Sequence, residues 1–311
     1  MAMAAPVAAA SRLLVSGDAE SPLRLRVEGA AVEIGSSAGG SAARIAIAPG
    51  TSVDAFASTR GGWLVAGSTP VAGGRELAIW IGSDGKAATT LAPPPGRVGA
   101  VRAFPVPLLH DGELAGMAWL EGEAADRFAV RTSAWDGREW SAAETVAPPG
   151  RGSQLGLTGA VLADGSWLLA WSAFDGEDDE VMWSARRGAH WSAPAAVAAG
   201  NQVPDVTPAL RADGPGALLA WSRYDGNDYR LVLSRFAGRR WQPAEWAAGA
   251  GTIQPRWEGE TLTFRDAAAG TWVAARVDAA DHLRATDATV APPEPRPAAA
   301  TRGGEPRLLF P

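Results

Sequence analysis

Ser133-Ala-Trp-Asp-Gly137-Arg-Glu-Trp140 returns as Ser184-Ala-Arg-Arg-Gly188-Ala-His-Trp191, and again as Ser234-Arg-Phe-Ala-Gly238-Arg-Arg-Trp241. The three serines lie 51 and 50 residues apart. A period of that size with strand-like flanks marks a repeat architecture in which each unit is one small sheet. Outward from each copy the same order holds. A turn dipeptide opens an apolar run, as in Ala163-Asp-Gly-Ser-Trp-Leu-Leu-Ala-Trp171 and Ala212-Asp-Gly-Pro-Gly-Ala-Leu-Leu-Ala-Trp221, with His110–Trp119 as the third. An acidic turn follows (121–126, 175–179, 225–228), then an alternating strand such as Tyr229–Ser234, then the Ser-x-x-x-Gly-x-x-Trp turn. One more strand precedes each Asp-Gly turn, at 102–109, 157–162 and 206–211. Four strands joined by short hairpins in about 50 residues are one propeller blade.

The remaining units are more worn. Residues 62–68 and 76–80 lead to an Asp84-Gly85 turn, and 254–257, 262–265, 271–277 and 283–290 supply another four strands. Near the start, 23–27, 31–34 and 44–48 supply three clear strands. The fourth is expected from the C-terminus, where Pro306-Arg-Leu-Leu-Phe310 resembles an innermost strand; Arg12-Leu-Leu-Val15 is the rival. The expected fold is an all-β, six-bladed β-propeller of four-stranded antiparallel blades, its ring closed by the chain termini. Residues 1–11 are expected to be a tail, either disordered or the remnant of an export signal. Residues 12–311 form the propeller, with 291–305 a Pro-rich linker to the closing strand.

Composition suits this reading. The 311 residues include 37 Gly and 23 Pro, as many tight turns require, and 47% hydrophobic residues, enough for a core. Trp (14) far outnumbers Tyr (2), and the tryptophans recur at equivalent positions, so packing is their expected role. Net charge is −6 with no phosphate-neutralising basic run, so no nucleic-acid partner is expected. No cysteine is present, which excludes disulfides and thiolate chemistry. No stretch reaches the length of a membrane span. A monomer in an extracytoplasmic compartment, periplasmic or secreted, is the expectation.

The Ser-x-x-x-Gly-x-x-Trp turns resemble the Asp box, Ser-x-Asp-x-Gly-x-x-Trp, of sialidase-like β-propellers with BNR repeats. Ser, Gly and Trp match in three copies over residues 100–245, while Trp135, Arg186 and Phe236 stand where the family has Asp. The resemblance implies fold: in that family the boxes link the third and fourth strands and face away from the active site. The catalytic parts are not matched in the same way. Arg102-Ala-Phe-Pro105 is the nearest string to the family's early Arg-Ile-Pro, and it lies in the third blade; Tyr224 and Tyr229 are the sole tyrosines.

Propeller ligands meet the face that carries the loops leading into each innermost strand, together with the turns between second and third strands. Asp54, Arg102, Asp205, Gln254 and Arg256 are the ligand-binding candidates from the leading segments, with Arg102 and Arg256 able to grip a carboxylate. The second-to-third turns add Glu121, Glu123, Asp126, Asp175, Glu177, Asp178, Asp179, Asp225 and Asp228. So acidic a face disfavours a sugar acid and suits a neutral glycan, a cationic ligand or calcium. No metal-ligand spacing or cofactor motif appears, and no metal or cofactor is expected. The expected function is a non-catalytic binding or interaction module for a glycan or a protein. The alternatives are a glycoside hydrolase or lyase using carboxylates at the axial pocket, such as Asp54 and Asp205, and a structural propeller of an envelope assembly.

Overall fold

The computed structural model describes residues 12–16, 23–36, 41–83, 86–123, 127–150, 154–198 and 200–286. The described chain is all β, and its strands run as six consecutive antiparallel meanders. The first holds β1 (Arg12–Ser16), β2 (Leu23–Glu28), β3 (Ala31–Ser36) and β4 (Ser41–Ala46). The second holds β5 (Ser52–Thr59), β6 (Gly62–Val71), β7 (Gly74–Gly82) and β8 (Thr89–Leu91). The third holds β9 (Val101–His110), β10 (Glu113–Gly122), β11 (Phe128–Ala134) and β12 (Glu144–Ala147). The fourth holds β13 (Gln154–Val161), β14 (Trp167–Phe174), β15 (Asp179–Arg187), β16 (His190–Trp191) and β17 (Ala195–Ala196). The fifth holds β18 (Asp205–Asp213), β19 (Gly216–Tyr224), β20 (Tyr229–Ala237), β21 (Arg240–Trp241) and β22 (Glu245–Ala250). The sixth holds β23 (Thr252–Glu258), β24 (Thr261–Asp266), β25 (Thr271–Val277) and β26 (Leu283–Ala285).

These meanders make five sheets rather than the six uniform four-stranded sheets expected from the repeat. The second and third fuse into one eight-stranded sheet through a parallel bridge between Arg75 and Val101. Gly74 permits this approach, because a Cβ there would lie 2.3 Å from the Ala100 carbonyl oxygen. In the fourth and fifth meanders the last strand is interrupted just after its Trp, at 192–194 and 242–244, so each sheet counts five strands. Arg12–Ser16 supplies the fourth strand of the first meander by pairing with β2. The C-terminal strand expected at 306–310, the linker 291–305, the tail 1–11 and the Asp84-Gly85 turn lie outside the described residues.

The core lies between meanders, not within them. Side chains alternate across a strand, and here both faces are buried. Trp167, Leu169 and Trp171 of β14 pack with Leu108, Leu120 and Val130 of the third meander. Their neighbours Leu168 and Ala170 pack with Leu210, Leu219 and Trp221 of the fifth. On β6, Trp63 and Val65 face Leu25 and Ile34 of the first meander, whereas Leu64 and Ala66 face Met117 and Trp119 of the third. This explains why the middle strands read as continuous apolar runs. Trp140, Trp191 and Trp241 pack at the edges of the same seams, as their regular return suggested.

Two repeated devices fix the geometry. In each Ser-x-x-x-Gly-x-x-Trp turn the serine hydroxyl donates to a carbonyl eight residues on, at 2.7 Å in all three copies: Ser133 to Ser141, Ser184 to Ser192 and Ser234 to Gln242. This bond ties the start of the turn to its end in each copy. The second device is a bulge near the start of the first strand. Phe104, Gly156, Thr207 and Gln254 all have φ between 54° and 60°, and the pairing register shifts beside each. Ser222 bridges two of these bulges, bonding to the Thr207 hydroxyl at 2.8 Å and to the Gln254 backbone N–H at 3.1 Å. First strands neighbour first strands in sequence order, β1 by β5, β5 by β9, β9 by β13, β13 by β18 and β18 by β23.

Candidate carboxylate site

The turns joining β14 to β15 and β19 to β20 are built alike. Asp175 Oδ1 accepts the backbone N–H groups of Glu177 (2.8 Å) and Asp178 (3.2 Å), and Asp225 Oδ1 accepts those of Asn227 (2.9 Å) and Asp228 (2.8 Å). In both, the Asp N–H donates to the carbonyl three residues on. Short Asp side chains bonding their own backbone are the ordinary chemistry of such turns. The strands leaving them are also in register, Ala173 opposite Glu180 and Arg223 opposite Arg230.

The charges then diverge. In the fifth meander Arg230 Nε lies 2.6 Å from Asp225 Oδ2 and offsets that carboxylate's charge. In the fourth the same place holds Glu180, which is 4% exposed and whose Oε2 has no hydrogen-bond partner. One carboxylate oxygen each from Asp175, Asp178 and Glu180 lie within 4.8 Å of one another. Burial, followed by the charges of Asp205 and Asp178, pushes the Glu180 carboxyl up to about 7, with Arg223 pulling the other way. Asp178 is also raised, first by burial and then by Asp175 and its other acidic neighbours. By contrast, the backbone N–H groups of Asp228 and Asn227 hold Asp225 below the usual range.

Asp205 forms the wall toward the fifth meander. It is fully buried and clamped by Arg223, Nε to Oδ1 at 2.7 Å and Nη2 to Oδ2 at 2.6 Å, with Asn201 Nδ2 at 3.3 Å from Oδ2. The bidentate bond to Asp205 raises the Arg223 guanidinium further. Asp205 is therefore a fixed negative charge behind Glu180, enclosed away from solvent.

The other residues singled out from the sequence are dispersed. Asp54 sits on β5 and accepts the Ser52 hydroxyl at 2.9 Å. Arg102 is 1% exposed, paired with Glu76 of the second meander and with Glu121 at 3.3 Å, bonded to the Pro94 carbonyl and stacked on Trp119. Gln254 occupies a bulge, and Arg256 lies over the Trp272 ring. Tyr224 and Tyr229 close the β19–β20 turn against each other, centroids 5.4 Å apart. On the same face, over the third meander, a cleft of about 760 Å³ is lined by Arg97, Glu121, Glu123, Arg127 and Arg131. Its charges are largely paired, Arg97 with Glu123 at 2.6 Å and Arg131 with Glu121 at 3.6 Å. The carboxylates brought together are thus Asp175 and Asp178, expected on this face, and Glu180, which sequence reasoning missed. The available signal was the register: fifty residues on, the acid at 180 becomes Arg230.

No protein-family model matches the chain, and no curated protein matches it in sequence. Solved structures do share its fold. It is similar to a six-bladed β-propeller fungal lectin, the Aleuria aurantia lectin, at 11% identity and TM-score 0.54, over 92% of this chain and 97% of the lectin. It is similar to a Mycobacterium tuberculosis puromycin-hydrolyzing peptidase at 15% identity and TM-score 0.55, over 88% of this chain and 44% of the peptidase. A prolyl endopeptidase matches at 13% identity and TM-score 0.53, over 88% of this chain and 41% of that one. The chain spans less than half the length of these two peptidases. At such identities the likeness is one of fold, and the fold is β-propeller-like.

Proposed function

We propose that the chain is a six-bladed β-propeller of sialidase-like ancestry that hydrolyses neutral glycosides at the carboxylates of its fourth blade. The carrying observation is Glu180, a buried carboxyl with one unpartnered oxygen held against the turn carboxylates. Two neighbouring carboxyl groups set apart by environment are the equipment of glycoside hydrolysis. Glu180, protonated up to about pH 7, donates its proton to the glycosidic oxygen as the bond to the anomeric carbon breaks. Asp178, the better shielded turn carboxylate, forms the new bond to that carbon. Water then displaces Asp178, and Glu180 takes back the proton. A neighbouring carboxylate acting as nucleophile makes the double-displacement, retaining route the expected one.

The substrate class follows from charge. Asp175, Asp178, Glu177 and Asp179 repel a sugar acid and accept a neutral ring. The likeness over nearly the whole length of a lectin described for fucose recognition supports a glycan ligand. The test is release of product from a panel of neutral aryl glycosides and oligosaccharides with chelator present. Glu180→Gln should lower kcat by about 10²–10⁴-fold while the protein still binds sugar. Sugar binding without turnover in the unaltered protein would replace this reading with a lectin-like binding domain. Turnover unaffected by Glu180→Gln would remove Glu180 from the chemistry.

A further inference from the structure

We propose that Asp175, Asp178 and Glu180 bind one divalent, oxygen-preferring cation of the calcium type. The inference goes beyond glycoside cleavage and concerns a ligand that needs no sugar. Three carboxylates converge with oxygens within 4.8 Å of one another, close enough to share one ion. Acidic turns alone are common, but Glu180 is more than nine-tenths buried, aimed into the cluster, and has an oxygen no protein group satisfies. A buried polar atom left without a partner is costly, and a cation is the partner this one lacks.

The repeat gives an independent argument. In the fifth meander the same turn, with Asp225 for Asp175 and Asp228 for Asp178, receives positive charge from Arg230, whose Nε is 2.6 Å from Asp225 Oδ2. Arg230 stands in the register position of Glu180. The fifth meander carries its cation covalently. The fourth has exchanged that cation for a third anion and keeps the turn geometry. The donor set decides the ion: all oxygen, with no imidazole or thiolate, it suits calcium or manganese over zinc or copper. Asp175 is exposed, so water can complete the six to eight ligands calcium takes. An ion there makes Glu180 a ligand, so the loaded form would be silent in glycoside cleavage and the cation would act as an inhibitor.

The experiment uses the full chain stripped with chelator, titrated with calcium alone by calorimetry and with terbium by tryptophan-sensitised luminescence, both without sugar. One ion per chain is expected. Glu180→Gln should weaken binding by at least about tenfold, and Glu180→Arg, which copies the fifth meander, should abolish it while the chain stays folded by circular dichroism. Absence of calcium, magnesium and manganese binding overturns the proposal, as does binding that Glu180→Arg leaves intact. Because binding is read without substrate, its failure is separate from failure of the hydrolase reading.

Discussion

Glu180 and Arg230 occupy the same register position in successive meanders, each one residue inside the turn that opens its third strand, and they carry opposite charge. Arg230 pairs with the leading Asp of its turn; Glu180 adds a further carboxylate to its own. One exchange of residue type therefore separates a turn whose Asp is paired with an arginine from one that gathers three carboxylates.

The first consequence is a pH-dependent stability. The folded pKa of Glu180, about 7, lies above its unfolded value of 4.5. The folded chain therefore binds this proton more tightly, and stability falls as pH rises from about 4.5 to about 7. The loss attributable to Glu180 is about 3 kcal/mol. Glu180→Gln should flatten that part of the curve, as measured by urea unfolding at pH 4.5 and pH 7.5 in chelator.

Activity should follow the same group. Hydrolysis needs Glu180 protonated, so kcat/KM is expected to fall as pH passes about 7. The product should keep its anomeric configuration, which proton magnetic resonance of the first-formed sugar reads directly.

Asp205 and Arg223 should behave as a buried pair. Arg223→Met leaves a fully buried carboxylate uncompensated and should cost about 3–5 kcal/mol. Asp205→Asn with Arg223→Met together should cost less than the sum, giving a clear coupling energy in a double-mutant cycle.

Leu168 and Leu169 are adjacent in sequence yet belong to different seams. Each truncated to Ala should cost about 2–5 kcal/mol. Their effects should add in the double variant, because the two side chains share no cluster. Denaturant unfolding of the three variants checks this.

Much of this fold was legible because its markers are local. The Asp-Gly dipeptides, the box glycines and the tryptophans recur at one spacing, and the strands between them are short. The Arg75–Val101 bridge was not legible, since it depends on a loop returning to Gly74 and leaves no pattern of its own. The fourth strand of the first meander was ambiguous because 12–15 and 306–310 are both short apolar runs; β1 pairs with β2, and 306–310 lies outside the described residues. At the site, the acidic run 175–179 was visible, but the buried carboxylate that joins it, Glu180, lies one residue further, inside the strand. Asp205 looked available and is sealed, because its partner Arg223 is eighteen residues away and meets it only across the β18–β19 pair. Burial and pairing across strands, rather than residue type, separate these acids.

The seams also bear on how the chain comes off the ribosome. A meander here owns no core: the strands β6, β10, β14 and β19 each lend alternate side chains to the sheet before and the sheet after. A single newly made meander has nothing to bury itself against. The smallest cooperative piece is a pair, and each later meander docks onto a surface its predecessor has already laid down. Synthesis from the N-terminus and assembly around the molecule thus proceed in the same direction, and at each step one apolar sheet face waits for the next to arrive.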